Sequence, residues 1–171
     1  MWDFYNEPGN EGLMMDALPL LEKVFAWGRE VDPVQPLTVG TWDHGNAHFE
    51  ALNTYALEHS DIISFHNYGG PEFLEATISR LETYGRPLYC TEYMARTRGS
   101  RFETHLPIFK RHKVACYNWG LVSGKTQTIY PWDSPQGGSE PTEWFHDIFR
   151  SDGSPYCEAE VKSIREHTSG L

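Results

Sequence analysis

A short apolar run followed by a stretch of helical periodicity recurs through the 171 residues, and this rhythm limits the fold more than any single residue does. Strands separated by helix-length segments pair in parallel, because a parallel neighbour cannot be reached through a tight turn. Residues 2–6 are the first strand. Asp16 to Val31 follows with Leu18, Leu21, Val24 and Phe25 at helical spacing, and with Gly28 and Pro33 near its end. Pro36 to Thr41 reads as the second strand, and His48 to His59 as a helix carrying Phe49, Leu52, Tyr55 and Ala56 on one side. Asp61 to Phe65 and then Pro71 to Tyr84 repeat the pattern, with Gly85 placed to stop the helix. Pro87 to Thr91, Arg101 to His112 and Val114 to Asn118 give a further strand, helix and strand. The expected fold class is α/β, with about five parallel strands and covering helices. Gly120 to Thr142 surrounds Ile129-Tyr130-Pro131-Trp132 with Gly, Ser, Pro and Thr, and is long for a connection; loops of this length are commonly functional. Glu143 to Phe149 and Glu158 to His167 have helical character.

The length suits one domain, residues 1–171. Fourteen Lys and Arg against 24 Asp and Glu give a net charge of -10, which opposes attraction to phosphate backbones, so no nucleic-acid partner is expected. No apolar stretch reaches the 18 or so residues of a membrane span and nothing resembles a signal peptide, so a soluble chain is expected. Extracellular or periplasmic action would require a native leader ahead of Met1. Cys90, Cys116 and Cys157 are odd in number, so at least one thiol should be free, and the first two read as small buried hydrophobes. Gly124-Lys125-Thr126 lacks the preceding loop of a phosphate cradle, and His44, His48 and His66 follow no metal-ligand pattern. Neither cofactor nor metal is expected.

Two carboxylates stand where an apolar strand gives way to a loop: Glu7 in Trp2-Asp3-Phe4-Tyr5-Asn6-Glu7-Pro8, and Glu92 in Cys90-Thr91-Glu92-Tyr93. Such a pair can divide the work at a glycosidic bond, one protonating the leaving oxygen and the other attacking the sugar carbon or activating water. Retaining pairs stand about 5–5.5 Å apart. A helix cap at Asn-Glu-Pro, and pairing of Glu92 with Arg96 or Arg98, are the competing local readings. Asn6 offers an amide to a sugar hydroxyl. In His66-Asn67-Tyr68, alternation sends His66 and Tyr68 to the same side, where the phenol could bond a nucleophilic carboxylate and the imidazole a sugar hydroxyl. Trp119, Trp42 and Trp132 offer flat faces for sugar stacking, whereas Trp2 and Trp27 read as packing residues.

The ordered set Asn6-Glu7-Pro8, Ser64-Phe65-His66-Asn67-Tyr68, Cys90-Thr91-Glu92-Tyr93 and Tyr117-Asn118-Trp119-Gly120 resembles the retaining glycoside hydrolases of clan A, in particular the cellulase-like family 5. The resemblance implies part of a (β/α)8 barrel of TIM type, from its fourth strand onward. It makes Glu7 the acid/base, Glu92 the nucleophile, His66 and Tyr68 the strand-six pair, and Trp119 the sugar platform. It also implies a β-1,4-linked glucan, mannan or xylan as substrate and double displacement without a cofactor. A whole barrel takes about 250 residues, so three strands and their Arg and His contributions have no counterpart here. An inactive carbohydrate-binding or structural half-barrel, or one part of a split barrel, is the alternative. Open sheet edges at Trp2–Asn6 and Val114–Asn118 favour a homo-oligomer, a symmetric homodimer first, or a complementing barrel fragment.

Overall fold

The computed structural model of the chain describes residues 1–169. Five parallel strands form one sheet in chain order: β1 (Trp2–Asn6), β2 (Leu37–Thr41), β3 (Ile63–Asn67), β4 (Leu88–Tyr93) and β5 (Ala115–Asn118). The connections carry α1 (Leu18–Val31), α2 (Glu50–His59), α3 (Pro71–Glu82) and α4 (Phe102–His112), and α5 (Glu158–Thr168) ends the described chain. The sheet is not closed, and β1 and β5 are its edges. This is the α/β fold of five parallel strands that the alternation predicts, in the partial (β/α) arrangement of TIM-barrel type that the resemblance implies. Among the described residues, no helix is long and apolar enough to cross a membrane.

Two compact units share the chain, Met1–Asn67 with Thr77–Thr91 and Tyr68–Ala76 with Glu92–Leu171. In the first unit, β1 pairs with β2 from Trp2 opposite Leu37 to Asn6 opposite Gly40, with a register irregularity between Asp3 and Asn6. Every residue of β2 and β3 is buried. Their hydroxyls are bonded across the pair, Thr38 Oγ1 accepting from the Ser64 N–H at 3.2 Å and Thr41 Oγ1 donating to the Ser64 carbonyl at 2.9 Å. Leu21 and Phe25 of α1, Leu37 and Val39 of β2, and Leu52 and Ala56 of α2 make the apolar core, as the helical spacing predicts. Gly28 does not end α1. A Cβ there would lie 2.4 Å from the Phe4 ring, so glycine sets how closely α1 rests on β1, and Asp32, at φ 49°, ends the helix by donating its N–H to the Gly28 carbonyl.

The second unit depends less on periodic elements. Arg96 is 2% exposed and donates to both carboxylate oxygens of Glu160 at 2.8 and 2.7 Å, and to the carbonyls of Trp144 and Asp147 at 2.9 Å each. The Tyr156 ring lies 4.6 Å from its guanidinium carbon. These bonds replace the helix predicted at Glu143 to Phe149, which the structure lacks. There the Phe145 N–H donates to the Ile129 carbonyl, His146 to Thr128, and Ile148 and Phe149 to Leu121, so the long loop supplies the acceptors a helix would have found four residues back. Two strands run past their expected ends, β3 through Asn67 and β4 through Tyr93. For β4 the reason is a neighbour, since the Tyr93 carbonyl accepts the Trp119 N–H at 2.9 Å.

Trp2 and Trp27 are not packing residues in this chain. They are 54% and 53% exposed and, with Phe4, Val24 and Val31, line an apolar groove of about 440 Å³ beside the edge strand. None of the three cysteines is in a disulfide; Cys90 is buried and Cys116 and Cys157 are partly so. Burial pushes the Cys116 thiol up to about 11, which keeps it protonated and unreactive.

Candidate functional site

Glu7 follows β1 with its backbone in the left-handed region, φ 47°, and its N–H donates to the Gly40 carbonyl of β2 at 3.0 Å. That turn aims a side chain whose two oxygens are both engaged. Oε1 lies 2.7 Å from His66 Nδ1, and Oε2 accepts from Asn10 Nδ2 at 2.6 Å. The His66 side chain is 3% exposed and that of Glu7 14%. Room for the imidazole comes from Gly40, where a Cβ would sit 3.0 Å from His66 Nε2. Below the carboxylate, Asp3 Oδ1 accepts the Gly40 N–H at 3.0 Å and Oδ2 accepts from Ser64 Oγ at 2.9 Å, while Ser64 Oγ lies 3.0 Å from Thr91 Oγ1. This polar ladder ties β1, β2, β3 and β4 together just behind the carboxyl ends of the strands.

Glu92 lies inside β4 rather than after it, and its Oε2 accepts from the Tyr68 hydroxyl at 2.7 Å. Arg96 pairs with Glu160, and Arg98 lies over the Trp132 ring at 5.7 Å. Tyr68 meets Trp132 edge-on with centroids 4.9 Å apart, and lies 5.6 Å from the His146 ring. Trp132 is further braced edge-on by Phe145 at 4.7 Å, yet remains 57% exposed. Trp119, 45% exposed, and Trp132 line a cleft of about 410 Å³ together with Thr126, Thr128, Tyr130 and His146. Gly120 is required behind it, because at φ 82° a Cβ would fall 2.6 Å from Asp147 Oδ1 and 2.7 Å from His146 Cβ.

His66 is thus joined to Glu7, Tyr68 to Glu92, and Trp132 and Trp119 to one cleft. Asn6 is exposed at the end of β1. Trp42 packs at a tilt against Phe49, with ring centroids 4.6 Å apart, and donates its indole N–H to the Pro8 carbonyl at 3.1 Å. Four contributors escaped the sequence reading: Asn10, Asp3, Gly40 and His146. Asn10 had a visible signal, standing three residues after Glu7 in a turn with Pro8 and Gly9. His146 had none, since its segment carried a helical pattern.

No protein-family model matches the sequence, and no curated protein does so either.

Proposed function

We propose that this chain is a carbohydrate-binding half-barrel that brings the two carboxylates of a retaining β-glycosidase, as one part of a split barrel. The observation that carries the reading is the Tyr68–Glu92 hydrogen bond of 2.7 Å at the carboxyl end of β4. A phenol donating to a carboxylate oxygen fixes the rotamer that aims the carboxylate at a sugar carbon. Glu92 is then the nucleophile: it forms an ester to the anomeric carbon as Glu7 protonates the departing oxygen. In the second step Glu7 takes a proton from water, which displaces Glu92 and frees the sugar. The bonds from His66 and Asn10 keep Glu7 in one orientation through both steps. The family-5-like motif order supports a β-1,4-linked glucan, mannan or xylan. The unclosed sheet and the exposed groove at Trp2 and Trp27 favour completion by a complementing fragment or a second copy.

Initial rates and binding isotherms on cello-, manno- and xylo-oligosaccharides test the reading, with a 2-deoxy-2-fluoro β-glycoside as a covalent trap. The expected results are saturable binding, labelling at Glu92 detected by peptide mass spectrometry, and loss of labelling in Glu92→Gln. Turnover that persists unchanged in both Glu7→Gln and Glu92→Gln would remove these residues from the chemistry. Absence of binding to all three sugar series would reject the carbohydrate reading outright. Light scattering over a range of concentrations addresses completion by a copy; a monomer throughout leaves only a separate fragment.

A further inference from the structure

Helix α1 carries a second apolar stripe beside the one that enters the core. Leu21 and Phe25 are buried, whereas Leu20, Trp27 and Val31 are 48%, 53% and 77% exposed and Val24 is half-buried. Leu20, Val24, Trp27 and Val31 recur at intervals of four, three and four, which lines them up along one side of the helix. This is the spacing of the seam along which two helices pack, and none of the four is charged. Three turns of helix give the seam a length of about 17 Å. Exposed Trp2 of the edge strand widens it at the groove. Apolar surface of this kind favours association.

The charges beside the seam say what covers it. On its inner border stand Leu21 and Gly28, both buried. On its outer border stand Lys23 and Glu30, both exposed, each one residue before a seam valine. Two copies of α1 laid antiparallel put Val24 of each opposite the partner's Trp27, and Leu20 opposite the partner's Val31. The same register sets Lys23 of each beside the partner's Glu30, so the two attractions are equivalent by symmetry and the surface complements itself. A parallel pair fails: Lys23 then meets the partner's Gly28, and Glu30 projects past the end of a helix that stops at Val31. The net charge of -10 on each chain opposes contact at long range, so a surface with local charges that attract is the one on which two copies can meet.

We propose that the outer stripe of α1 is a homodimer interface, in which two copies pack this helix antiparallel about a two-fold axis and exchange reciprocal Lys23–Glu30 ion pairs. Of the two partners named for the groove, this takes the second copy, and it does not rest on the chemistry of Glu7 and Glu92. The apolar seam supplies the attraction. The exposed ion pairs add little strength and instead fix orientation and partner.

The test is an exchange of charges in the full chain, followed by light scattering and native mass spectrometry from micromolar to millimolar concentration. The parent should approach twice the chain mass, and Trp27→Lys should stay monomeric with an unchanged circular dichroism spectrum. Lys23→Glu and Glu30→Lys should each weaken the dimer about tenfold, because each sets like charges together twice across the two-fold axis. An equimolar mixture of the two single variants should form dimers with one chain of each kind. The double variant should dimerise within about threefold of the parent. Should Trp27→Lys not fold, the charge exchange decides alone. A monomer at every concentration overturns the proposal and leaves the groove to a different chain. A dimer that the single variants leave unchanged, or a mixture with no preference for mixed pairs, places the interface elsewhere and overturns it as well. Labelling of Glu92 is read separately, so the dimer and the glycosidase reading stand or fall apart from each other.

Discussion

The two compact units are held together by different physics. Around β1, β2 and β3 the interior is a continuous apolar cluster in which Leu21, Phe25, Leu37 and Val39 are each no more than 2% exposed. In the region of Glu92 to Thr168 the central buried group is an arginine, Arg96, whose guanidinium gathers Glu160 and two loop carbonyls. An apolar core tolerates substitutions that keep its volume. A buried guanidinium does not, because removing any partner strands a charge or a carbonyl away from water. A regular scaffold can therefore vary more freely than a cleft whose shape depends on a few polar bonds.

The largest effect should come from Arg96→Met. It leaves Glu160 buried without its partner and frees the carbonyls of Trp144 and Asp147, for a loss of about 4 kcal/mol. Phe25→Ala should cost about 3 kcal/mol by opening a cavity between α1 and α2. Hydrogen exchange separates the two, since Arg96→Met should loosen residues 120–149 and α5 first, and Phe25→Ala should loosen β1 to β3 first. If both variants raise exchange evenly along the chain, the units do not differ in the way described.

A smaller effect sharpens the contrast, because the first unit also hides one titrating group. His44 is 4% exposed; burial, then Arg80, then His66 push its pKa down from 6.5 to about 4. Its Nε2 lies 3.1 Å from Thr41 Oγ1, whose own proton goes to the Ser64 carbonyl. As pH falls the unfolded chain takes up the proton before the folded one does. Stability from this site is whole above about pH 6.5 and is lost as pH falls from there through about 4, roughly 3 kcal/mol in all. Urea midpoints at pH 7 and pH 4.5 should diverge less in His44→Gln than in the parent. Equal divergence would place the acid sensitivity at His105 and His146, whose pKa values burial also lowers.

The same contrast explains what the sequence revealed. Leu21 and Phe25 recur at the spacing of one helical face, and their burial needs no knowledge of distant partners, so the strands, the helices α1 to α5 and the open sheet were legible, whereas the helix expected at Glu143 to Phe149 did not form. The contacts of Glu7 with His66 and of Tyr68 with Glu92 could be anticipated because each residue sits near the end of an apolar run, where a strand in a parallel sheet delivers side chains to the edge. Those of His146 could not. Its environment is made by Met94, Tyr68 and Trp132, which stand far from it in the chain and converge only through the bonds of Arg96 and the loop carbonyls. Periodicity reports local geometry, and a residue defined by what closes over it leaves no periodic trace. Trp2 and Trp27 misled for the opposite reason: their apolar character was plain, but an edge strand turned it outward.

Glu7 holds a backbone conformation that costs an ordinary side chain on the order of 1 kcal/mol and that glycine or asparagine adopts with ease. Heat-tolerance screening blind to sugar chemistry would therefore drift toward Gly or Asn at this position. Under such a regime the carboxylate is lost, while the sheet around it grows sturdier.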